Sequence, residues 1–304
     1  MNLNRRTFLK SSSVIVGSLI LQGSKTLTAL NLQSKNFREV KNNFGLFNEN
    51  GGTIAWYVNN DEVVVIDSQF PDSAKNFLAD LKTKTSNKIN YLFNTHHHRD
   101  HTMGNTVLRE FTDKIISQKN CPELQVMQSK GTENEKLVVT ADITFAEEII
   151  VKLNNEIIKA KHFGPAHTGG DIVIHFENLN IAHAGDLVFN SAYPYIDNNG
   201  GGSVKEWIEA LNKVIEYYDK DTKFVFGHAD KDENVMGDKN DVVDMKNYLT
   251  ALYDYVEKMV KEGKSPDQIA ETNIIPGTAE RFEKWDGAKK MNLKNTAEQL
   301  TAKL

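Results

Sequence analysis

The chain carries four candidate metal ligands within six residues, in Thr95-His96-His97-His98-Arg99-Asp100-His101. The spacing is H-x-H-x-D-H, and the segment follows the apolar run Tyr91-Leu92-Phe93, which predicts a short buried strand. The side chains at positions 96, 98 and 100 point the same way if the backbone stays extended. Imidazole nitrogen combined with carboxylate oxygen suits zinc, and it is typical of a catalytic site more than of a closed structural one.

Three further segments place a candidate ligand beside a glycine near a predicted strand end. They are Gly164-Pro165-Ala166-His167-Thr168-Gly169-Gly170-Asp171, His183-Ala184-Gly185-Asp186 and Phe226-Gly227-His228. Loops at strand ends are where a rigid scaffold presents catalytic groups. The histidine cluster taken alone has an alternative, a chance group of polar residues on a solvated loop, and the three later segments disfavour it.

Apolar periodicity predicts strands that alternate with helices along the chain. The predicted strands are Thr53–Val58, Val63–Asp67, Tyr91–Phe93, Lys114–Ser117, Leu137–Thr140, Ile143–Leu153, Glu156–His162, Asp171–Phe176, Asn180–Ala184 and Lys223–Phe226. The predicted helices are Pro71–Leu81, Asn105–Phe111, Val204–Tyr218 and Val242–Glu262. Residues 118–135 are polar and receive no assignment. This order favours two sheets covered on their outer faces by helices.

The ordered set of motifs resembles the metallo-β-lactamase superfamily, in particular its exported β-lactamase-like members. H-x-H-x-D-H comes first, then Gly-x-x-His-Thr-x-Gly, then Gly-Asp, then Gly-His, over roughly residues 38–230. The first motif is highly specific, whereas the later ones are specific as an ordered set. The resemblance implies an α+β fold, a four-layered αββα sandwich, with the metals at one edge between the two sheets.

The resemblance also implies a site with two zinc ions per chain. It assigns seven residues as metal ligands: His96, His98 and His167 on one ion, Asp100, His101 and His228 on the other, and Asp186 bridging both. Asp67 matches an acid that supports the histidine loop, and its alternative role is a strand-end cap. His162, His175 and His183 match no ligand position.

The implied activity is hydrolysis of an acyl bond in a small molecule by a metal-bound hydroxide. Asp100 is the candidate catalytic group that orients the nucleophile or takes its proton. The acyl bond is a lactone, ester, thioester or β-lactam, and Tyr193 and Tyr195 are the candidate substrate-binding residues. Many β-lactamases of the superfamily carry a Cys in the second metal site, and no Cys lies between His167 and His228. Two alternatives stay open, a genuine class B β-lactamase and a non-hydrolytic metal-binding or redox-associated member.

The N-terminal residues resemble a twin-arginine export signal. Arg5-Arg6 precedes an uncharged, moderately apolar stretch that is short for a transmembrane helix. We therefore expect residues 1–29 to be a cleaved signal peptide and residues 30–304 to form a metallo-β-lactamase domain with a C-terminal helical extension. The expected location is periplasmic or otherwise exported, without stable membrane insertion. A net charge of −5 and no Lys/Arg block give no electrostatic case for nucleic acid.

Overall fold

Two mixed β-sheets carry the fold in a computed structural model, which describes residues 35–60 and 62–302. The strands in chain order are β1 (Phe37–Lys41), β2 (Phe44–Phe47), β3 (Ile54–Asn59), β4 (Glu62–Ile66), β5 (Ile89–Phe93), β6 (Thr112–Gln118), β7 (Ile143–Phe145), β8 (Glu148–Lys152), β9 (Ile157–Lys161), β10 (Val173–Phe176), β11 (Ile181–His183), β12 (Phe189–Asn190), β13 (Lys223–Val225), β14 (His228–Ala229) and β15 (Met236–Gly237). The helices are α1 (Pro71–Lys84), α2 (Arg99–Thr102), α3 (Asn105–Leu108), α4 (Cys121–Ser129), α5 (Val204–Tyr217), α6 (Lys239–Lys261), α7 (Pro266–Ala270) and α8 (Ala288–Thr301).

The first sheet contains β1 to β7 in chain order, and the second has the order β15-β13-β11-β10-β9-β8. Strands β1 to β4 pair antiparallel, whereas β4 to β7 pair parallel. In the second sheet β11 and β13 are parallel neighbours. The carboxyl ends of parallel neighbours meet at one sheet edge, so each sheet offers an edge at which loops from several strands converge.

Strand β4 shows why the sequence produces stacked layers. Its residues from Val63 to Ile66 are apolar without interruption, as expected of a strand buried on both faces. Val63 and Val65 pack toward Phe77 of α1, while Val64 and Ile66 belong to the core between the two sheets. Successive side chains of a strand point to opposite faces, so this one run contributes to two cores at once.

The outer face of the second sheet is covered in the same way by helices α5, α6 and α8. Phe224 and Phe226 face Trp207 of α5 and Met245 of α6, whereas Val225 between them points into the core shared by the sheets. The layers are therefore helix, sheet, sheet and helices. The predicted α+β, four-layered αββα sandwich is confirmed.

Three local predictions were wrong or incomplete. Leu137–Thr140 is not a strand, because a 3-10 turn at Glu133–Leu137 leads into irregular chain. Ile143–Leu153 is two strands, since β7 ends in the first sheet and β8 begins in the second after a turn at residues 146–147. Residues 121–129, which received no assignment, form α4 with Pro122 in its first turn. Periodicity cannot show where a continuous apolar run changes sheets.

The predicted signal peptide at residues 1–29 lies outside the described residues. Within residues 35–60 and 62–302, no helix combines the length and the apolar character needed to cross a membrane.

Candidate metal centre

The predicted ligands meet at the edge where the parallel strands of both sheets end. Asp67 follows β4, the histidine cluster follows β5, and Asp186 and His228 follow β11 and β13. His167 lies in the loop before the antiparallel neighbour β10, which starts at the same edge. Strand ends therefore position each side chain, and the structure brings together all seven residues that the sequence selected.

One group consists of His96, His98, His167 and Asp186, which offer ligand atoms within 4.8 Å of one another and are all buried. His98 Nδ1 lies 3.1 Å from His96 Nε2 and 2.9 Å from His167 Nε2. Asp186 Oδ2 lies 3.8 Å from His96 Nε2 and 3.5 Å from His167 Nε2. Three imidazoles and one carboxylate thus face a common point.

A second group consists of Asp100, His101 and His228, again within 4.8 Å. His228 Nε2 is 2.9 Å from Asp100 Oδ2 and 3.4 Å from His101 Nε2. Asp186 reaches this group too, because its Oδ1 is 3.2 Å from His101 Nε2 and its Oδ2 is 3.5 Å from His228 Nε2. The Asp186 carboxylate therefore lies between the two groups.

Hydrogen bonds behind the rings direct a bare nitrogen toward each group. Asp67 accepts from Thr95 N, Thr95 Oγ1 and His101 Nδ1 at 2.7–2.8 Å. The Thr95 hydroxyl proton is thereby used, so His96 Nδ1 donates to Thr95 Oγ1 at 3.0 Å. His167 Nδ1 donates to the carbonyl of Tyr195 at 2.7 Å. A neutral imidazole that donates through Nδ1 keeps a lone pair on Nε2, the form that binds a metal.

The residues fit a pair of divalent cations for a second, electrostatic reason. Burial lowers the pKa of His96 well below its usual range and that of His167 to about 3, so both rings are neutral near pH 7. Burial would raise the pKa of Asp186, but His228 and His101 hold it well below its usual range. Facing lone pairs and an ionised carboxylate repel one another without a positive charge between them.

The pKa of His101 shows that the electrostatic potential at the centre is negative. Burial opposes protonation of its ring, yet the carboxylates of Asp186, Asp100 and Asp67 together raise its pKa well above the usual value. The same negative field favours any cation between the two groups.

One contact in the centre comes from a residue that the sequence analysis missed. Asp197 Oδ2 lies 2.8 Å from His98 Nε2, on the side of the ring away from the ligand atoms. Asp197 lies outside the four motifs that carry the candidate ligands, and the loop that contains it reaches the centre only through tertiary contacts. The one local signal is the turn that follows it, Asn198-Asn199-Gly200-Gly201-Gly202.

A cleft of about 890 Å³ opens onto the centre. Its lining includes Asp100 and His228 together with residues from distant parts of the chain: Asn48, Asn50, Phe70, Arg99, Met103, Gln128, Asn134, Phe189, Tyr195, Asp232, Lys284 and Trp285. Tyr195 stands beside His98, with ring centroids 5.5 Å apart, and Trp285 packs on Tyr195 at 6.1 Å.

The two tyrosines predicted to bind substrate have different positions. Tyr195 is 37% exposed and lines the cleft, and its role in substrate binding stays a prediction. Tyr193 is 1% exposed, packs edge-on against Tyr248 of α6, and contributes nothing to the cleft lining. The expectation for Tyr193 is corrected, because the irregular chain after β12 turns its ring into the core beneath the helices.

The three histidines that matched no ligand position make ordinary hydrogen bonds. His162 Nδ1 bonds to the carbonyl of Asp171, His175 Nε2 to Asn180 Oδ1, and His183 Nε2 to the carbonyl of Thr53. Cys121 is buried with a free thiol, and burial raises its pKa.

Solved structures share this fold at low sequence identity. A metallo-beta-lactamase from Pontibacter korlensis is 18% identical with a TM-score of 0.60, and the match covers 70% of this chain and 98% of that chain. A stereoselective inverting sec-alkylsulfatase from Pseudomonas sp. is 13% identical with a TM-score of 0.68. That match covers 87% of this chain and 50% of the sulfatase, so it extends beyond the part shared with the lactamase.

Sequence comparison points the same way. A hydroxyacylglutathione hydrolase from Pelagibacter ubique (strain HTCC1062) is 26% identical over 178 residues, which cover 54% of this chain and 67% of the relative. The family model of the metallo-beta-lactamase superfamily matches residues 49–228, more than half of the chain, and includes all seven candidate ligands. Together with the buried His and Asp groups, these matches identify a metal-dependent hydrolase, and the chain belongs to the metallo-beta-lactamase superfamily.

Proposed function

We propose that this protein binds two zinc ions and hydrolyses an acyl bond of a small molecule. The observation that supports this most is the pair of ligand groups that share the Asp186 carboxylate. The proposed ligands are His96, His98 and His167 for one ion, Asp100, His101 and His228 for the other, and Asp186 for both. Mixed nitrogen and oxygen donors favour zinc over a hard cation such as magnesium.

When bound, the two ions would supply Lewis-acid polarisation of the substrate and a water of pKa ~7 instead of ~16. The protein's own residues supply position and proton transfer. The side chain of Asp100 is 29% exposed and lines the cleft, so it can meet both the nucleophile and the substrate. We propose that Asp100 orients the nucleophile and accepts its proton.

The substrate class that we propose is a lactone, ester or thioester. A hydroxyacylglutathione hydrolase is among the relatives. The proposed ligand between His167 and His228 is Asp186, and no cysteine occurs in that part of the sequence. The cleft volume of about 890 Å³ suits a small organic molecule with both apolar and polar groups. A β-lactam is the second candidate, supported by the open cleft and by fold neighbours that are metallo-beta-lactamases.

We also propose that the protein is exported, with residues 1–29 removed as a twin-arginine signal. Arg5-Arg6 and the uncharged stretch that follows support this. Mass spectrometry of the secreted or periplasmic form should show a chain that starts near residue 30, and replacement of both arginines by lysine should retain the full-length precursor inside the cell. Full export of that variant would refute the proposed route.

The test of function combines metal analysis with a substrate panel. Purified protein should contain about two zinc per chain, and it should hydrolyse esters, lactones or thioesters in a manner lost on chelation and restored by zinc. A chromogenic cephalosporin in the same panel distinguishes a β-lactamase, which would hydrolyse it, from an esterase, lactonase or thioesterase. Iron instead of zinc would refute the proposal and favour a redox-associated role. Full metal content with no hydrolysis of any acyl substrate would refute it and favour a metal-binding role.

A further inference from the structure

Asp197 is not one of the seven proposed ligands, but its buried carboxylate contacts one of them, His98. It is 6% exposed, and its Oδ2 lies 2.8 Å from His98 Nε2 and 3.4 Å from His97 Nε2. Its Oδ1 accepts a hydrogen bond from Gly200 N at 2.9 Å. A carboxylate that is buried among donors in this way has a defined orientation, because each of its oxygens is engaged.

The contact matters because His98 faces its group through the opposite nitrogen from its neighbours. His96 and His167 turn Nε2 to the common point, and their Nδ1 protons bond to Thr95 and Tyr195. His98 turns Nδ1 to that point, so its proton has to reside on Nε2. The hydrogen bond from Nε2–H to Asp197 holds it there.

We propose that Asp197 is a positioning residue of the metal centre, which fixes the tautomer and the ring orientation of His98 and increases the basicity of its Nδ1. This inference rests on the proposed function, since it takes His98 to be a metal ligand. Carboxylates behind a ligating imidazole act in this way, and their loss typically lowers metal affinity by about 10- to 100-fold.

The loop around Asp197 is rigidly held, as a positioning role requires. Gly202 N donates to the carbonyl of Asp197 at 2.8 Å, and Asn295 of α8 donates to the carbonyl of Ile196 at 2.8 Å. A methyl group at Gly200 would overlap both the Asp197 carboxylate and the His97 ring. The C-terminal helix therefore fixes a loop that contacts the metal centre from behind.

A third cation site made of His97, His98 and Asp197 is the competing interpretation, because these residues also lie close together. It would require the His98 ring to lose its remaining proton and to bind ions through both nitrogens. The 2.8 Å separation of His98 Nε2 and Asp197 Oδ2 is instead that of a charge-assisted hydrogen bond. We therefore favour the positioning role, and the metal count distinguishes the two.

The experiment compares Asp197→Ala and Asp197→Asn with the wild type by zinc titration against a chromophoric chelator. Asp197→Ala should lower the zinc affinity of the site that contains His98 by about 10- to 100-fold. Asp197→Asn should lose less, because its carbonyl oxygen still accepts one of the two hydrogen bonds. Asp219→Asn is the matched control: Asp219 also accepts backbone hydrogen bonds, from Asp221 and Thr222, but lies where β11 and β13 begin.

Two readouts separate positioning from simple structural support. The melting temperature of the metal-free Asp197→Asn variant should fall by no more than the few degrees expected from one lost hydrogen bond, while its zinc affinity falls. Nitrogen NMR of 15N-histidine-labelled protein should show one more ring with its proton on Nε2 in the wild type than in Asp197→Ala, because His175 and His183 keep this tautomer in both proteins.

Each other outcome has a distinct meaning. Unchanged zinc affinity in a folded Asp197→Ala variant overturns the positioning role while the proposed function stands. A wild type that binds three zinc ions, with the third lost in Asp197→Ala, overturns it in favour of the cation site. A wild type that binds no zinc refutes the proposed function and this inference together.

Discussion

At the scale of single residues, the site depends on which nitrogen of each imidazole carries the proton. Thr95, Asp67 and the Tyr195 carbonyl each accept from Nδ1 of a different histidine. These acceptors come from three separate loops. A ligand residue in the sequence is thus recognisable by type and spacing, whereas the group that orients it is found only in space.

Removal of a ligand should affect metal content and rate together. We expect His167→Ala to bind about one zinc less than the wild type. Its hydrolysis rate should fall by more than the ~10- to 100-fold that follows the loss of a residue that only orients a ligand. Zinc analysis and initial rates on the best substrate of the panel check this. His175→Ala is the control, because His175 bonds to Asn180 away from the centre. Full metal and full rate in His167→Ala would contradict the assignment.

His183 predicts a pH dependence of stability. Its Nε2 donates to the Thr53 carbonyl and its Nδ1 accepts from Gly185 N, so the ring has to be neutral, and burial lowers its pKa. In the unfolded chain its pKa is about 6.5. The unfolded state therefore binds the proton first, and stability present above pH ~6.5 is lost as the pH falls below that value.

Urea unfolding of metal-free protein at several pH values measures this contribution. The difference in unfolding free energy between the wild type and His183→Gln should shrink as the pH falls from 7.5 to 5.5, by at most about 1.4 kcal/mol per pH unit. A difference that is constant over this range would show that His183 does not titrate in the expected direction.

At the scale of elements, glycines allow strand ends and loops to approach the centre closely. A methyl group on Gly52, just before β3, would overlap the His101 ring, and one on Gly227, just after β13, would overlap the Asp186 carboxylate. Gly52 N also donates to the carbonyl of Asp100 at 2.9 Å. These glycines are needed for space, and their neighbours are the proposed ligands.

We expect Gly52→Ala to displace the His101 ring, which Asp67 holds from the other side. The overlap should cost about 1–3 kcal/mol of stability, as overpacking does, and weaken the second zinc site. Chelator titration and thermal unfolding measure the two effects. In Gly170→Ala, the control, the new methyl group would meet its nearest atoms at an ordinary 3.5 Å. Equal zinc affinities in both variants would show that the ring has room to move.

At the scale of the whole molecule, the segment before α8 completes the cleft. Lys284 and Trp285 line it, more than fifty residues after His228, the last proposed ligand in the chain. Trp285 rests on Tyr195, which in turn stands beside His98. The C-terminal part therefore contributes to the centre twice, through this wall and through the contacts of α8 with the Asp197 loop.

Trp285 should contribute to substrate binding more than to the chemical step. We expect Trp285→Ala to raise KM for substrates with a bulky acyl group by about tenfold, equivalent to about 1.4 kcal/mol of apolar contact, with kcat little changed. The other two tryptophans, Trp56 and Trp207, are fully buried. Acrylamide quenching in the wild type should therefore come from Trp285 and disappear in Trp285→Phe. An unchanged KM for large and small substrates would remove Trp285 from the binding surface.

The sequence by itself determined the family, the four-layered sandwich and the identity of the candidate ligands. These features are local, because strand periodicity, the spacing of H-x-H-x-D-H and the glycine beside each later ligand all lie within a few residues. The tertiary structure alone decided that Tyr195 reaches the cleft while Tyr193 is buried, that Asp197 contacts His98, and that Trp285 closes the cleft. Those residues meet the centre through contacts between segments about 90 to 190 positions apart along the chain, and no local pattern encodes which distant side chain will face a given ring.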